Sequence, residues 1–386
     1  MIPQSKGGSC AVNPNCLSSV IMKAFITNFI AAFALVFAVP LQVLCSDVQD
    51  HVTVSNQEIS SDATYTANQS IAVGPGVKVK ANANVYFHVI NTDGTITLSP
   101  DLSVAEGSTF RAYTGKIPSQ LPQPTGECPE FTEGVITVSP AGNSKPRDVK
   151  IWVSEAAHTV DGPLVFYWHG TGSTPDEAVT GLGTETITAV KAAGGVVAAP
   201  YHDLDAGTYP WFLTTYPLGT GREDDLRVAD EILACAIQQI GIDTSRIHSI
   251  GMSAGGLQTA QFSFRRSNYI ASAVTYSGGI TSCENPPPNQ DSANKFAAMI
   301  FHGGDTDVVI ISFKTASECY QTLLTANGNF AFICDHGMGH TIPTNARDNV
   351  WRFFQDHRYG FDPSIYATGL PSDFPGYCAL PGGSIR

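Results

Sequence analysis

Ser253 lies in the run Gly251-Met252-Ser253-Ala254-Gly255-Gly256, between the strand-like stretch Ile247 to Ile250 and the helix-compatible stretch Leu257 to Arg266. A serine at a strand-to-helix turn is placed for nucleophilic attack. Glycines two residues to either side let the backbone turn sharply, which lifts the hydroxyl clear of the sheet beside a helix N-terminus. A serine hydroxyl is a weak nucleophile alone. It needs a base to take its proton, an acid to orient that base, and N–H donors for the oxyanion that forms on the substrate.

Candidates for all of these follow other predicted strands. His169-Gly170-Thr171-Gly172-Ser173 comes directly after the apolar run Leu164 to Trp168. A small glycine-rich loop there can aim the Thr171 N–H at an oxyanion together with the N–H of Ala254, while His169 holds the loop by hydrogen bonds. The alternative is an ordinary glycine turn. Phe301-His302-Gly303-Gly304-Asp305-Thr306-Asp307 follows another buried strand, and Asp335-His336-Gly337-Met338-Gly339-His340-Thr341-Ile342-Pro343 follows the last one. Asp307 is taken as the acid because an extra loop residue is easier to accommodate than a shortened turn, with Asp305 as its rival. His340 is taken as the base and His336 as a loop-stabilising residue. Two histidines four apart suggest a metal only on a helix, which Gly337 and Gly339 oppose, so no metal and no organic cofactor is expected. The order serine, acid, histidine suits acyl transfer on a parallel sheet.

The intervening chain must hold these loops at one edge. Strands are predicted at Gly134 to Val138, Val149 to Val153, Leu164 to Trp168, Gly195 to Ala199, Ala271 to Tyr276, Ala297 to Phe301 and Phe330 to Cys334. Helical spacing runs from Glu223 to Ile240 and a further helix from Arg347 to Phe354; a stretch capped by Thr174 and Pro175 ends near Ala193, with Gly181 and Gly183 as potential breaks. Alternating strands and helices imply a mainly parallel sheet with helices on both faces, and ligands then bind at the strands' C-terminal ends. Tyr201, Tyr209, Trp211, Phe212 and Tyr216 follow the Gly195 strand and fit either a substrate cleft or core packing.

Residues 46–113 read differently. Ile71-Ala72-Val73-Gly74-Pro75-Gly76-Val77-Lys78-Val79 recurs 25 residues later as Ile96-Thr97-Leu98-Ser99-Pro100-Asp101-Leu102-Ser103-Val104. The repeat predicts two β rungs or hairpins, a small N-terminal all-β module serving as a cap or spacer, or as a binder of polymer or surface. The proline-rich run at 114–127 reads as a linker, and 128–386 as the chemical domain.

At the N-terminus, Met22-Lys23 and the apolar run Ala24 to Leu44 resemble a secretory signal within an extension spanning 1–45, cut before Ser46. An uncleaved membrane anchor and an acylated Cys45 are the competing readings; Pro40 and Gln42 interrupt the run. Export then leaves no stable membrane insertion. Of nine cysteines, Cys10, Cys16 and Cys45 fall in the removed segment. Cys128, Cys235, Cys283, Cys319, Cys334 and Cys378 remain as a disulfide set, in which a helix from Thr315 to Ala326 and the strand after it place Cys319 and Cys334 near the same end. With a net charge of −13 and charged residues at 14%, the chain lacks the basic surface that a nucleic-acid partner requires.

The four motifs together, HGTG at His169, GMSAGG at Ser253, HGGDTD at His302 and GHTIP at Gly339, resemble the α/β-hydrolase superfamily over about 128 to 360. Within it the chain is similar to secreted esterases related to polyhydroxybutyrate depolymerases and feruloyl esterases. The resemblance implies an α/β-hydrolase fold and hydrolysis of a carboxylic ester, with polyesters and polysaccharide-linked esters in its substrate range, through Ser253, Asp307 and His340. Two departures stand out. The aspartates flank the place where the usual H-G-x-x-D spacing puts the acid, and Ile342 stands where relatives often carry tryptophan. A secreted peptidase of the same fold, or a noncatalytic surface-binding protein built on it, are the alternatives.

Overall fold

The computed structural model describes residues 49–383 apart from 62, 82, 91–93, 107, 116, 119, 144, 214–221 and 361–363. The stretch expected to be a secretory leader, with Cys10, Cys16 and Cys45, lies outside the described residues, as does Tyr216. No helix among those described is long and apolar enough to cross a membrane.

Nine short strands come first: β1 (His51–Val54), β2 (Glu58–Ile59), β3 (Ala63–Ala67), β4 (Ser70–Val73), β5 (Lys78–Val79), β6 (Asn84–Val89), β7 (Thr95–Leu98), β8 (Ser103–Val104) and β9 (Thr109–Thr114). They form three parallel sheets, ordered β1-β4-β7, β2-β5-β8 and β3-β6-β9. Each coil of chain therefore lays one strand on each of three faces, and three coils stack into a parallel solenoid. The register explains the repeat: Ile71 pairs with Ile96, one period on. It also pairs with Val52, a coil that the repeat missed because only 19 residues separate these two positions. The hairpin alternative is excluded, since all these pairs run parallel. Inside, Ile71, Val73, Val85, Phe87 and Val89 are buried, and Phe87 stacks on Tyr65 with ring centroids 5.0 Å apart.

A nine-stranded sheet follows, built from β10 (Gly134–Val138), β11 (Arg147–Trp152), β12 (Gly162–Trp168), β13 (Val196–Pro200), β14 (Ile242–Met252), β15 (Ser272–Tyr276), β16 (Ala297–His302), β19 (Phe330–Asp335) and β20 (Cys378–Ala379). Its order is β10-β11-β13-β12-β14-β15-β16-β19-β20, and β17 (Val308–Val309) and β18 (Ile311–Ser312) form a separate antiparallel pair. The six strands from β13 to β19 are parallel, and the edges are antiparallel. Helices α1 (Glu177–Leu182), α2 (Thr184–Ala192), α3 (Asp224–Gln239), α4 (Ala254–Arg265), α5 (Phe313–Ala326) and α6 (Arg347–Asp356) cover it.

Strand β12 shows why both faces are covered. Leu164, Phe166 and Trp168 enter one core with α3, α4 and α5, while Val165 and Tyr167 enter the other with α1, α2 and α6. Period-2 alternation with apolar residues on both sides is the signature of a strand buried on both faces. The helical stretch after β12 breaks at Gly183, as its glycines suggested, but begins at Glu177 after Asp176, later than a Thr174 cap would place it. Trp211 and Phe212 are buried core residues, and the Trp211 and Trp168 rings meet edge to face at 5.0 Å.

The disulfides correct one expectation. Cys319 and Cys334 are not partners: the bonds are Cys128–Cys235, Cys283–Cys319 and Cys334–Cys378. The reason is the sheet between them. Cys319 belongs to the core on the α5 face and Cys334 to the opposite one. The chain after β15 runs along α5, with the Ile280 N–H on the Ala316 carbonyl at 3.0 Å, and so brings Cys283 to Cys319. Cys334 instead pairs in register with Cys378 of the C-terminal edge strand. The proline-rich run 114–127 is pinned near its end, where Glu231 of α3 accepts the Thr125 and Gly126 N–H groups.

Candidate active site

Parallel register lines up the strand ends. Trp168 pairs with Gly251, Met252 with Tyr276, Tyr276 with Phe301 and His302 with Asp335. Five strands thus end at one edge side by side, and four of them lead into the loops that carry the motifs. The chain goes from β12 to β13 on one side and then crosses to β14 on the other, so the gap outside β12 and β14 is the topological switch point where such sheets hold ligands.

Ser253 occupies this gap. Its backbone has φ 57° and ψ −121°, a conformation that non-glycine residues rarely take and that argues for a function. The Ser253 N–H donates to the Tyr276 carbonyl at 2.9 Å, and α4 starts at the next residue. Helix and strand pack so closely that a Cβ on Gly255 would lie 1.8 Å from the Trp168 carbonyl oxygen. Only glycine fits there.

His340 comes from the loop after β19. Its Nδ1–H donates to Asp307 Oδ1 at 2.7 Å, and its Nε2 accepts from Ser253 Oγ at 2.9 Å. The Phe313 ring lies against the imidazole, centroids 4.6 Å apart. Asp307 is fully buried. Burial alone pushes its carboxyl up, but the hydrogen bonds from His340 and the Gly303 N–H outweigh this and hold the acid below the usual range. The Gly303 N–H reaches Asp307 Oδ2 at 2.9 Å. The acid and histidine loops are zipped together by the Gly339 N–H on the Gly303 carbonyl, an approach that a side chain at Gly303 would block, since its Cβ would sit 1.9 Å from the Gly339 oxygen.

The rivals point elsewhere. Asp305 is exposed and ion-paired with Lys314 at 2.7 Å. His336 accepts the Met338 N–H on Nδ1 at 3.2 Å within its own loop. His169 is buried; its Nδ1–H donates to the Gly170 carbonyl at 2.8 Å, and its own carbonyl accepts the Trp211 indole N–H at 2.8 Å. Burial lowers the His169 pKa to about 4, so the ring is neutral near pH 7.

Ala254 is the first residue of α4, where an N–H has no partner within the helix. Thr171 is exposed in the loop beside it, and a Cβ on the neighbouring Gly170 would lie 3.4 Å from that of Ser253. A cleft of about 600 Å³ opens here, lined among others by Ser173, Glu177, Met252, His340, Thr341 and Ile342. Glu177 was not singled out in the sequence. The signal available was Thr174-x-x-Glu177, which has the form of a helix capping box. Cys128, Glu231 and Cys235 come close enough to share a metal, but both sulfurs are committed to one disulfide and the carboxylate to backbone N–H groups.

No family model and no curated protein matches the chain. Solved structures do. Native pOPH has a TM-score of 0.54 at 18% identity, over 67% of this chain and 98% of its own. Native sOPH has 0.54 at 17%, over 68% and 98%. A thermostable esterase lies further off, at 0.45 and 15%, over 65% and 66%. The fold is that of the α/β hydrolases, as the four motifs implied.

Proposed function

We propose that this chain is a serine hydrolase of carboxylic esters. The observation that supports the reading best is the hydrogen-bonded series Ser253–His340–Asp307 at the C-terminal edge of the sheet. In this mechanism His340 Nε2 takes the Ser253 proton as Oγ bonds to the ester carbonyl carbon. The carbonyl oxygen becomes an oxyanion, received by the Thr171 and Ala254 N–H groups. Collapse breaks the bond to the alcohol, which leaves with the proton from His340, and an acyl-serine remains. Water then gives a proton to His340 as it attacks the acyl carbon, and collapse breaks the bond to Ser253 Oγ, which takes that proton back from His340 as the acid leaves. Asp307 orients the ring and stabilises its charged form. None of these steps calls on a metal or an organic cofactor.

The finer reading is an exported enzyme with leader 1–45, a β module at 46–113, a linker at 114–127 and a catalytic domain at 128–386. The three disulfides support an oxidising compartment. The substrate is an ester, and a polymeric one such as a polyester or a polysaccharide-linked ester is within this reading. The test is hydrolysis of p-nitrophenyl esters of increasing acyl length by the chain and by Ser253→Ala. Turnover of short-chain esters is expected, falling by roughly 10⁴-fold or more in the variant. A folded, disulfide-bonded chain that turns over none of them would overturn the reading.

A further inference from the structure

We propose that Glu177 is a positioning residue for this hydrolysis: its carboxylate clasps the loop 169–173 and so holds the Thr171 N–H where the oxyanion forms. The proposal rests on the ester-hydrolase reading above. Glu177 Oε1 accepts the Gly170 N–H at 3.0 Å and the Tyr167 hydroxyl at 3.2 Å. One side chain thus ties the end of β12 to the start of the loop.

The loop needs such a tie. On the sheet side it stands on Trp211, through the His169 carbonyl. At its tip, Thr171 and Gly172 are exposed, Gly172 has φ 77°, and a Cβ there would meet nothing within 4 Å. Packing therefore does not fix the tip: the Gly170–Thr171 peptide, which aims the Thr171 N–H, is held on its carbonyl by the His169 Nδ1–H at 2.8 Å and the Ser173 N–H at 3.1 Å, and the peptide before it is held by Glu177 through the Gly170 N–H. Gly170 is held between the two groups that matter: a Cβ on it would lie 3.4 Å from Ser253 Cβ and 3.5 Å from Glu177 Oε2. An oxyanion donor works only if it is aimed before the charge develops, so a small rotation of this peptide is costly.

Glu177 is itself immobilised. It opens α1, whose far end is fixed by Arg347 Nε on the Thr180 carbonyl at 2.8 Å and by the Tyr276 hydroxyl on the Gly181 carbonyl at 3.0 Å. The sequence form Thr174-x-x-Glu177 would send the carboxylate back to the Thr174 N–H as a helix cap. It goes to Gly170 instead. Burial raises the Glu177 pKa against the opposing hydrogen bonds from Gly170 and Tyr167. A carboxylate placed at that cost is satisfied by the loop.

The experiment compares the full chain with Glu177→Gln, Glu177→Ala and Glu177→Met, using kcat and KM on a short-chain p-nitrophenyl ester and hydrogen exchange across 169–173. Loss of the acceptor in the Ala and Met variants is expected to lower kcat about 30-fold, with KM within about twofold and faster exchange in the loop. Gln keeps an acceptor oxygen and is expected to stay within about threefold of the parent. Wild-type kcat in Ala or Met, unchanged exchange, or a Gln variant as impaired as Ala would each overturn the proposal. Met keeps the volume if Ala does not fold; failure of both to fold would mark the residue as structural and overturn it too. A normal Ala variant of an active, Ser253-dependent enzyme defeats the clasp alone, whereas a parent chain that cleaves no ester defeats the hydrolase reading and the clasp with it.

Discussion

The solenoid coils and the carboxyl edge of the large sheet are ordered in opposite ways. In β1 to β9 each residue's partner lies one coil away, and the pairing asks only for an apolar side chain inside: Val52 on Ile71 on Ile96. At the sheet edge, Ser253, Asp307 and His340 come from three different loops and meet at 2.7–2.9 Å. The coils tolerate exchange of one apolar residue for another of similar size. The edge tolerates almost none, because a particular atom must sit at a particular distance. Stability is thus spread along the repeat, and chemistry is concentrated where unrelated segments converge.

The contrast is sharpest at two aspartates. Asp307→Asn is expected to lower kcat by roughly 10³–10⁴-fold, since the amide cannot accept the Nδ1–H of the required tautomer as a carboxylate does. Asp305→Asn loses only an exposed pair with Lys314 and is expected to leave kcat within about twofold. Steady-state kinetics of both on one ester checks this; equal losses would show that convergence at this edge is looser than its geometry. In the coils, Phe87→Ala removes a fully buried ring stacked on Tyr65 and is expected to cost about 3–5 kcal/mol of local stability. Below the unfolding transition its kcat should match the parent within about twofold. A parallel fall in kcat would mean that coils and edge are coupled, and the comparison would break.

The mildest test is pH. Burial lowers the pKa of His169 and of His357 to about 4 each. Unfolding returns them to about 6.5, so between these values the unfolded chain binds protons that the folded one refuses. Stability is therefore lost as pH falls from about 6.5 to 4, by on the order of 3 kcal/mol for each histidine. Both lie in the part of the chain that holds the large sheet, as do Trp152, Trp168, Trp211 and Trp351. Tryptophan emission in denaturant titrations should report the destabilisation, with exchange in β1 to β9 changing less. Coils that open first on acidification would reverse the expectation.

Much of this was legible because it is local. The elbow at Ser253 is a contiguous glycine pattern, the strands announce themselves as short apolar runs, and α3 shows its buried face at helical spacing. The choice between Asp305 and Asp307 was not, because a single loop residue separates them and spacing alone brackets the position without filling it. The structure turns one outward to Lys314 and buries the other against Gly303 and His340. Cys319 and Cys334 misled for a related reason: helix and strand direction places them at one end, but not on one face. The first solenoid coil escaped notice because its period is shorter than the next.

By itself, then, the amino-acid sequence determined the class of fold and singled out the loops that meet at Ser253, since hydrophobic period and glycine placement act over a few neighbouring residues. Only the tertiary structure decided which acid meets His340, how six cysteines pair, and that Glu177 reaches across to Gly170 rather than back to its own helix. Those outcomes depend on register and on which face of the sheet a side chain takes, and both are settled by packing between segments far apart in the chain.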